Sequence, residues 1–298
     1  MSKKRPIAVG RRRRITPLDI IITIFMCLFA ILCLYPFVNQ ILISFASQAD
    51  YYNSTLFVIP RHFNVDSYKY ILFHDKMGQS FLVSISVSTV GTAYSMILTI
   101  LGAYVLSIKD LPGKRAFFIF ILITVFFGGG LIPFYLTVRE LGLINSIASI
   151  IIPFGINTFN MIILRNFFKQ IPQEMIESCK IDGANDFIIL TRFILPLSKA
   201  GLATIALFYF VERWNDWYWP MMFLDHYDLI PMALQLRNIL AENQSTGTGG
   251  GGGVDPGTLF NEGKHAATIV ISMIPILAVY PFVQKYFVKG VMMGSVKT

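Results

Sequence analysis

Long apolar runs, each near or beyond the length that crosses a bilayer, constrain this chain more than any other feature. A membrane-spanning helix needs about 20 predominantly apolar residues. Six runs fit: Leu18 to Ser44, Gln79 to Ser107, Ala116 to Leu136, Ile147 to Phe168, Gly201 to Leu224 and Ala266 to Phe287. The composition agrees: 54% of the 298 residues are hydrophobic and only 14% charged, where a soluble domain carries about 25% charged residues. The expected fold is all-α, a polytopic membrane protein with six transmembrane helices. The second run is rich in Ser, Thr, Gly and Ala, the residues that let helices approach closely in lipid. Pro36, Pro133, Pro153, Pro220 and Pro275 lie within or at the ends of the runs. They predict kinked or broken helices, tolerable in lipid only where the freed backbone groups find partners.

The charges set the orientation. The net charge is +8, and Lys3, Lys4, Arg5 and Arg11 to Arg14 precede the first run. This is the basic flank that stays in the cytoplasm, and phospholipid headgroups explain it without nucleic acid. The first run is too long for a signal peptide and lacks a small-residue cleavage site, so it reads as a retained helix. Lys109, Lys114 and Arg115 mark the second-to-third turn. Arg165, Lys169, Lys180, Arg192 and Lys199 surround a later loop, and Lys285, Lys289 and Lys297 mark the tail. Both termini are therefore expected in the cytoplasm, which an even number of spans requires. The organisation is a basic tail, 1–16, and a membrane domain, 17–298. Cys27, Cys33 and Cys179 form no metal-ligand spacing or disulfide framework.

One polar stretch interrupts the apolar pattern: Ile171 to Ala200, IPQEMIESCKIDGANDFIILTRFILPLSKA. Pro172 followed by Glu174 and Glu177 is a helix start. Gly183 supplies a left-handed exit, and Asn185 can cap a second short helix running to a stop at Pro196. Ile176 and Cys179 share an apolar face by their three-residue spacing. The stretch reads as a helix–turn–helix against the membrane, on the cytoplasmic side.

The spacing of Glu177, Gly183 and Leu195-Pro196 resembles the EAA loop of permease subunits of ATP-binding-cassette (ABC) importers. Asp182-Gly183-Ala184 has the form of the sugar-importing branch. Ser178 and Cys179 replace two alanines, Phe193 an isoleucine and Ala200 a frequent proline. FFGGGLIPFYL (Phe126 to Leu136), LGLINS (Leu141 to Ser146), FYFVERWNDW (Phe208 to Trp217) and the ending YFVKGVMMGSVKT extend the likeness to the oligosaccharide permease family of the maltose-importer type. The branch most similar is the Gram-positive polysaccharide and uronate-oligosaccharide one. The resemblance implies a half-transporter of the bacterial cytoplasmic membrane. It would pair with a second homologous permease subunit, two ATPase subunits and an extracellular sugar-binding lipoprotein, and pass an oligosaccharide. It also implies that Glu177, Ser178, Cys179, Asp182, Gly183, Ala184, Leu195 and Pro196 couple the chain to the ATPase.

The chain encodes no energy source or catalytic site of its own. GGGGGV lacks the Gly-Lys-Ser/Thr ending of a phosphate loop, so ATP and Mg are expected on the partner ATPase. No histidine, cysteine and carboxylate cluster has metal-ligand spacing, and no nucleophile–base arrangement stands out. A stand-alone secondary carrier or channel is the alternative, but a carrier would be expected to show internal repeats and intramembrane coupling sites.

Two further stretches carry candidates. Glu212, Trp214, Asn215, Asp216 and Trp217 lie in the fifth run, with Trp214 about 20 Å from its inner end. Ionisable residues at that depth are functional by default, and aromatic rings with polar neighbours suit a sugar. They read equally as an outer aromatic belt with Glu212 and Arg213 paired. The outer loop, 225–264, contains STGTGGGGGVDPG, which cannot fold alone. By resemblance, Gly249, Gly250 and Gly251 would reach into the binding protein; the other reading is an idle insertion.

Overall fold

The structure, a computed structural model, describes residues 16–53, 60, 62–73, 77–246 and 260–294. The basic residues of the tail from Lys3 to Arg14, and Gly249 to Gly251, lie outside them. The described residues form helices joined by turns and irregular stretches and contain no strand. In chain order the helices are α1 (Pro17–Ser44), α2 (Gln48–Tyr52), α3 (Asp66–Phe73), α4 (Met77–Ser107), α5 (Lys114–Phe126), α6 (Leu131–Glu140) and α7 (Thr158–Phe168). They continue with α8 (Gln173–Ile181), α9 (Asp186–Leu197), α10 (Lys199–Asn215), α11 (Tyr218–Phe223), α12 (Met232–Thr246) and α13 (Asn261–Gly294).

Among the described residues three helices are long and apolar enough to cross a membrane: α1, α4 and α13. Two bent pairs, α5 with α6 and α9 with α10, raise this to five if each pair is one span. The first, second and sixth runs thus form rods close to their expected limits. The middle three do not. Lys114–Phe126 and Leu131–Glu140 meet at 110° across Phe127 to Gly130, where Gly130 has φ +85°. The fourth run is helical only from Thr158; before it lie a single 3-10 turn and an irregular stretch through Pro153. At 11 residues α7 is about 16 Å long, half a hydrocarbon core. The fifth run breaks after Asn215 and resumes as α11.

Proline position explains part of this. Pro133 and Pro220 each occupy the third residue of a helix, where the N–H has no intrahelical acceptor and its loss costs nothing. α1 starts with Pro17 behind a reciprocal cap: the Thr16 N–H donates to Asp19 at 2.9 Å and the Asp19 N–H to the Thr16 hydroxyl at 3.3 Å. It continues as one helix through Pro36. Its side chains from Leu18 to Val38 are exposed on every face, as a helix solvated by lipid or a partner must be.

α4 is the central post. Ser80, Ser84, Ser88, Gly91, Ser95, Thr99 and Ala103 recur every three or four residues and line its buried face. Small residues on α4 leave room for side chains of α7 and α10 to lie against its backbone. A Cβ on Gly102 would lie 2.7 Å from the Met161 sulfur, and one on Gly91 2.7 Å from the Arg213 side chain. The hydroxyls of the stripe also bind across helices: Thr99 to the Tyr209 hydroxyl at 2.7 Å, and Ser84 accepting from the Met232 N–H at 2.7 Å. In lipid, packing and such bonds replace the hydrophobic drive.

Candidate functional site: a docking helix and an aromatic cavity

The polar stretch folds as a helix, a sharp turn and a second helix. α8 begins after Pro172, with Glu174 in its first turn; Glu177 falls in the second. The helix ends on Gly183 at φ +82°. The Gly183 N–H donates to the Lys180 carbonyl and the Ala184 N–H to the Cys179 carbonyl, both at 3.0 Å. Those two bonds are the Schellman ending, and Ala184 packs on the same core cluster as Cys179, the apolar contact that accompanies it. A Cβ on Gly183 would meet nothing within 4 Å. Glycine is required here by backbone handedness, and crowding inside this chain plays no part.

Asn185 caps the second helix, its side chain accepting from the Ile188 N–H at 2.9 Å. α9 does not stop at Pro196. It runs to Leu197 by widening into π geometry over Ile189–Ile194, then turns by 85° into α10. A π segment relaxes the ladder just ahead of a residue that cannot donate, which lets the chain pass the proline.

The sequence places Ile176 and Cys179 on one apolar face, and the structure turns that face inward. Cys179 is buried and Ile176 packs with it against Phe168, Ile189 and Ile194. The expected coupling residues are thus divided. Glu177, Ser178, Asp182, Gly183 and Pro196 face outward, Ala184 and Leu195 are half-buried, and Cys179 belongs to the chain's own core. The outer face also carries apolar residues that nothing in this chain covers: Ile181 is 86% exposed and Phe187 70%. Sequence reading missed both. The base of the turn is tied to the central post by the Tyr104 hydroxyl, which donates to Asp186 Oδ1 at 2.9 Å.

The second site lies where the fourth and fifth runs break. Arg213 is buried and forms no ion pair with Glu212. Its guanidinium donates instead to the carbonyls of Ile150 and Phe154, each at 3.0 Å, and to the Ser95 hydroxyl at 2.7 Å. These carbonyls belong to the end of the 3-10 turn and to the irregular stretch after it, so Arg213 supplies donors that make backbone outside an α-helix tolerable within an apolar run. Tyr209 helps, its hydroxyl accepting from the Asn157 N–H at 3.0 Å.

Beside this arginine is a cavity of about 220 Å³ lined by Glu212, Asn215, Asp216, Phe154 and Trp219. A wider groove of about 540 Å³ adjoins it, sharing Glu212, Phe154 and Trp219 and adding Gly128 to Gly130, Asn157 and Tyr218. Of the five residues expected on a substrate path, Glu212, Asn215 and Asp216 reach the cavity. Asp216 also caps α11, accepting from the N–H groups of Tyr218 and Trp219 at 3.1 and 3.3 Å. Trp214 does not line it: the side chain is buried against Phe81 and Phe210, with its N–H on the Ser272 carbonyl at 3.0 Å. Trp217 carries the Arg237 guanidinium 4.6 Å from its ring centre. Trp219 takes the place expected of these two. It sits in the same aromatic run, whereas Phe154 and Asn157 follow Pro153 in a run whose expected break gave no sign of which residues would face a cavity. No group of three or more metal-ligating side chains occurs among the described residues.

Comparison with known proteins matches this architecture. Residues 115–293 fit the model of the family described as "Binding-protein-dependent transport system inner membrane component". The chain is 41% identical over 284 residues to the polygalacturonan/rhamnogalacturonan transport system permease protein YtcP of Bacillus subtilis (strain 168), covering 94% of this chain and 98% of that one. It is 39% identical over 265 residues to Protein LplC of the same organism, covering 88% of each. Among solved structures, a bacterial ABC transporter involved in the import of the acidic polysaccharide alginate superposes with a TM-score of 0.84 at 32% identity, over 94% of this chain and 100% of the other. The chain therefore belongs to the family of binding-protein-dependent transport system inner membrane components, the permeases of ABC importers.

Proposed function

We propose that this permease forms half of an oligosaccharide path and takes its energy from separate ATPase subunits through the α8–α9 turn. The observation that carries the coupling role is the two-faced character of α8. One face is anchored on the chain's own core through Ile176 and Cys179. The other offers Glu177, Ser178 and Gly183 beside the uncovered Ile181 and Phe187. A helix anchored behind and open in front can receive a partner and pass its movement to α4, α7 and α10. Two ATPase subunits, a second permease and an extracellular binding lipoprotein complete this reading, with ATP and Mg on the ATPase and both termini of the chain in the cytoplasm.

The cavity beside Arg213 supports the substrate reading. Trp219, Phe154 and Tyr218 offer ring faces, and Glu212, Asn215, Asn157 and Asp216 offer hydroxyl partners. That combination suits a pyranose, whose ring faces are apolar and whose edges are not. YtcP is named for polygalacturonan/rhamnogalacturonan transport and the solved transporter for alginate import, which favours uronate-bearing fragments. The test is uptake by reconstituted vesicles holding this permease, its neighbouring permease, ATPase and binding protein. Labelled oligogalacturonate or oligoalginate should accumulate with ATP, and maltotriose should not. Uptake of neither acid fragment would reject the substrate class. In the same assay, deleting Gly249 to Gly253 should lower uptake and leave assembly intact; unchanged uptake would make that loop an idle insertion.

A further inference from the structure

Where α8 meets the ends of α4, α5 and α7 lies a cavity of about 460 Å³, which shares Tyr104, Ile176 and Asp186 with the base of the α8–α9 turn. Lys109, Lys114, Lys169 and Lys180 line it from four separate segments, with Asp110 and Asp186 the acidic groups on its wall. Arg165 and Lys169 are close enough to Lys114 for their charges to act on it. The two aspartates do not balance the four lysines, so the pocket carries an excess of positive charge. Neither of the two ion pairs among the described residues involves these lysines. Asp186 is occupied by the Tyr104 hydroxyl. Arg165 is occupied too, donating to the Leu106 carbonyl at 3.0 Å and lying over the Phe118 ring. Lys114 donates to the Ile108 carbonyl, which fixes one ammonium on the pocket wall. The remaining wall is mixed: Ile108, Phe168, Ile171, Ile176 and Ile194 form its apolar part, and Tyr104, Ser107 and Gln173 add polar groups.

We propose that this pocket holds the phosphate headgroup of an anionic phospholipid, with Lys109, Lys169 and Lys180 as its main counter-charges and the isoleucine wall receiving the glycerol end. Basic pockets between helix ends on the headgroup level are sites of this chemistry. A lipid held there would bridge α8 to the α4–α5 turn, stiffening the docking helix against the post that it has to move. The inference rests on α4 and the α5–α6 pair crossing the membrane. It does not need the ATPase, so a failure of coupling and a failure of lipid binding are separable.

The test is native mass spectrometry of the full-length chain in mild detergent, titrated with phosphatidylglycerol or phosphatidylcholine. Phosphatidylglycerol should be retained at least tenfold more tightly. Each lysine contributes about a fivefold factor near an anionic surface, so Lys109→Gln, Lys169→Gln and Lys180→Gln together should weaken retention on the order of 100-fold. The same three positions changed to Arg should keep it, which separates lost charge from lost fold, and Lys69→Gln should have no effect. Inorganic phosphate at equal concentration should fail to displace the lipid. Four results would each overturn the proposal: equal retention of the two lipids, unchanged retention by the triple Gln variant, displacement by inorganic phosphate at equal concentration, or displacement by the purified ATPase subunit.

Discussion

Arg213 and Gly183 show how single residues carry this fold. Removing the Arg213 guanidinium leaves the Ile150 carbonyl and the Ser95 hydroxyl without this donor, and the Phe154 carbonyl with only the Ser95 hydroxyl at 3.3 Å; each buried group left unsatisfied costs about 1–3 kcal/mol. Arg213→Leu should therefore insert but lose several degrees of thermal midpoint in detergent, read by a fluorescence melt. Arg213→Lys should recover only part, because an ammonium cannot fork between the carbonyls of Ile150 and Phe154. An unchanged midpoint for Arg213→Leu would remove the arginine from its place as partner of the broken span. At Gly183 the free space around the Cβ position makes a finer prediction. Ala costs roughly 1 kcal/mol because it disfavours the left-handed backbone, and Asn, which tolerates that region, costs less. If ATPase co-purification falls more for Gly183→Ala than for Gly183→Asn, backbone handedness is the constraint. The reverse order would mean that the partner's surface excludes side chains of any kind.

At the scale of elements, the rods were legible, and Pro133, Pro153 and Pro220 announced that the middle three runs break without giving the place or shape of the breaks. α1, α4 and α13 stand out because long apolar runs and small-residue stripes need no tertiary information. The run from Ile147 to Phe168 is equally apolar, yet its first half is irregular. Hydropathy cannot distinguish a lipid-facing helix from backbone buried behind α4 and paired by Arg213. Gly155 marks the difference: a Cβ there would lie 2.6 Å from the Tyr94 ring, so the chain passes too close to α4 for a side chain. The polar stretch was legible in its caps, Gly183 and Asn185, and in the pairing of Ile176 with Cys179, but not in the direction of that face. Three-residue spacing shows that Ile176 and Cys179 lie together but not which way they point. Two consequences follow from the inward face. Cys179 should resist maleimide in the folded chain and react after denaturation, as mass spectrometry will show; rapid labelling of the native chain would put that face outside. Tyr104→Phe should cost about 1–2 kcal/mol by leaving Asp186 without its donor, loosening α8 from α4, seen as faster hydrogen exchange confined to residues 173–188.

Across the whole molecule, the arrangement is an asymmetric one around α4. The lysine-lined pocket and the α8–α9 turn sit at its Ser107 end, and α3 lies at its Met77 end, with 31 helical residues or roughly 45 Å between them. If the basic loops stay in the cytoplasm, Lys69→Cys should react with an impermeant maleimide in intact cells and Lys180→Cys only after permeabilisation, in a background lacking Cys27, Cys33 and Cys179. The opposite pattern would invert the topology. The central claim is that the α8–α9 turn transmits ATPase closure to the helices around α4. Its most direct measurement is ATPase co-purification together with ATP-driven oligosaccharide uptake in reconstituted vesicles for Glu177→Lys and Gly183→Asp. Both variants should insert at normal levels, retain less ATPase, and lose uptake by tenfold or more while residual hydrolysis continues uncoupled. Full ATPase retention and full uptake in both would contradict the account, because the outward face of the turn would then transmit nothing.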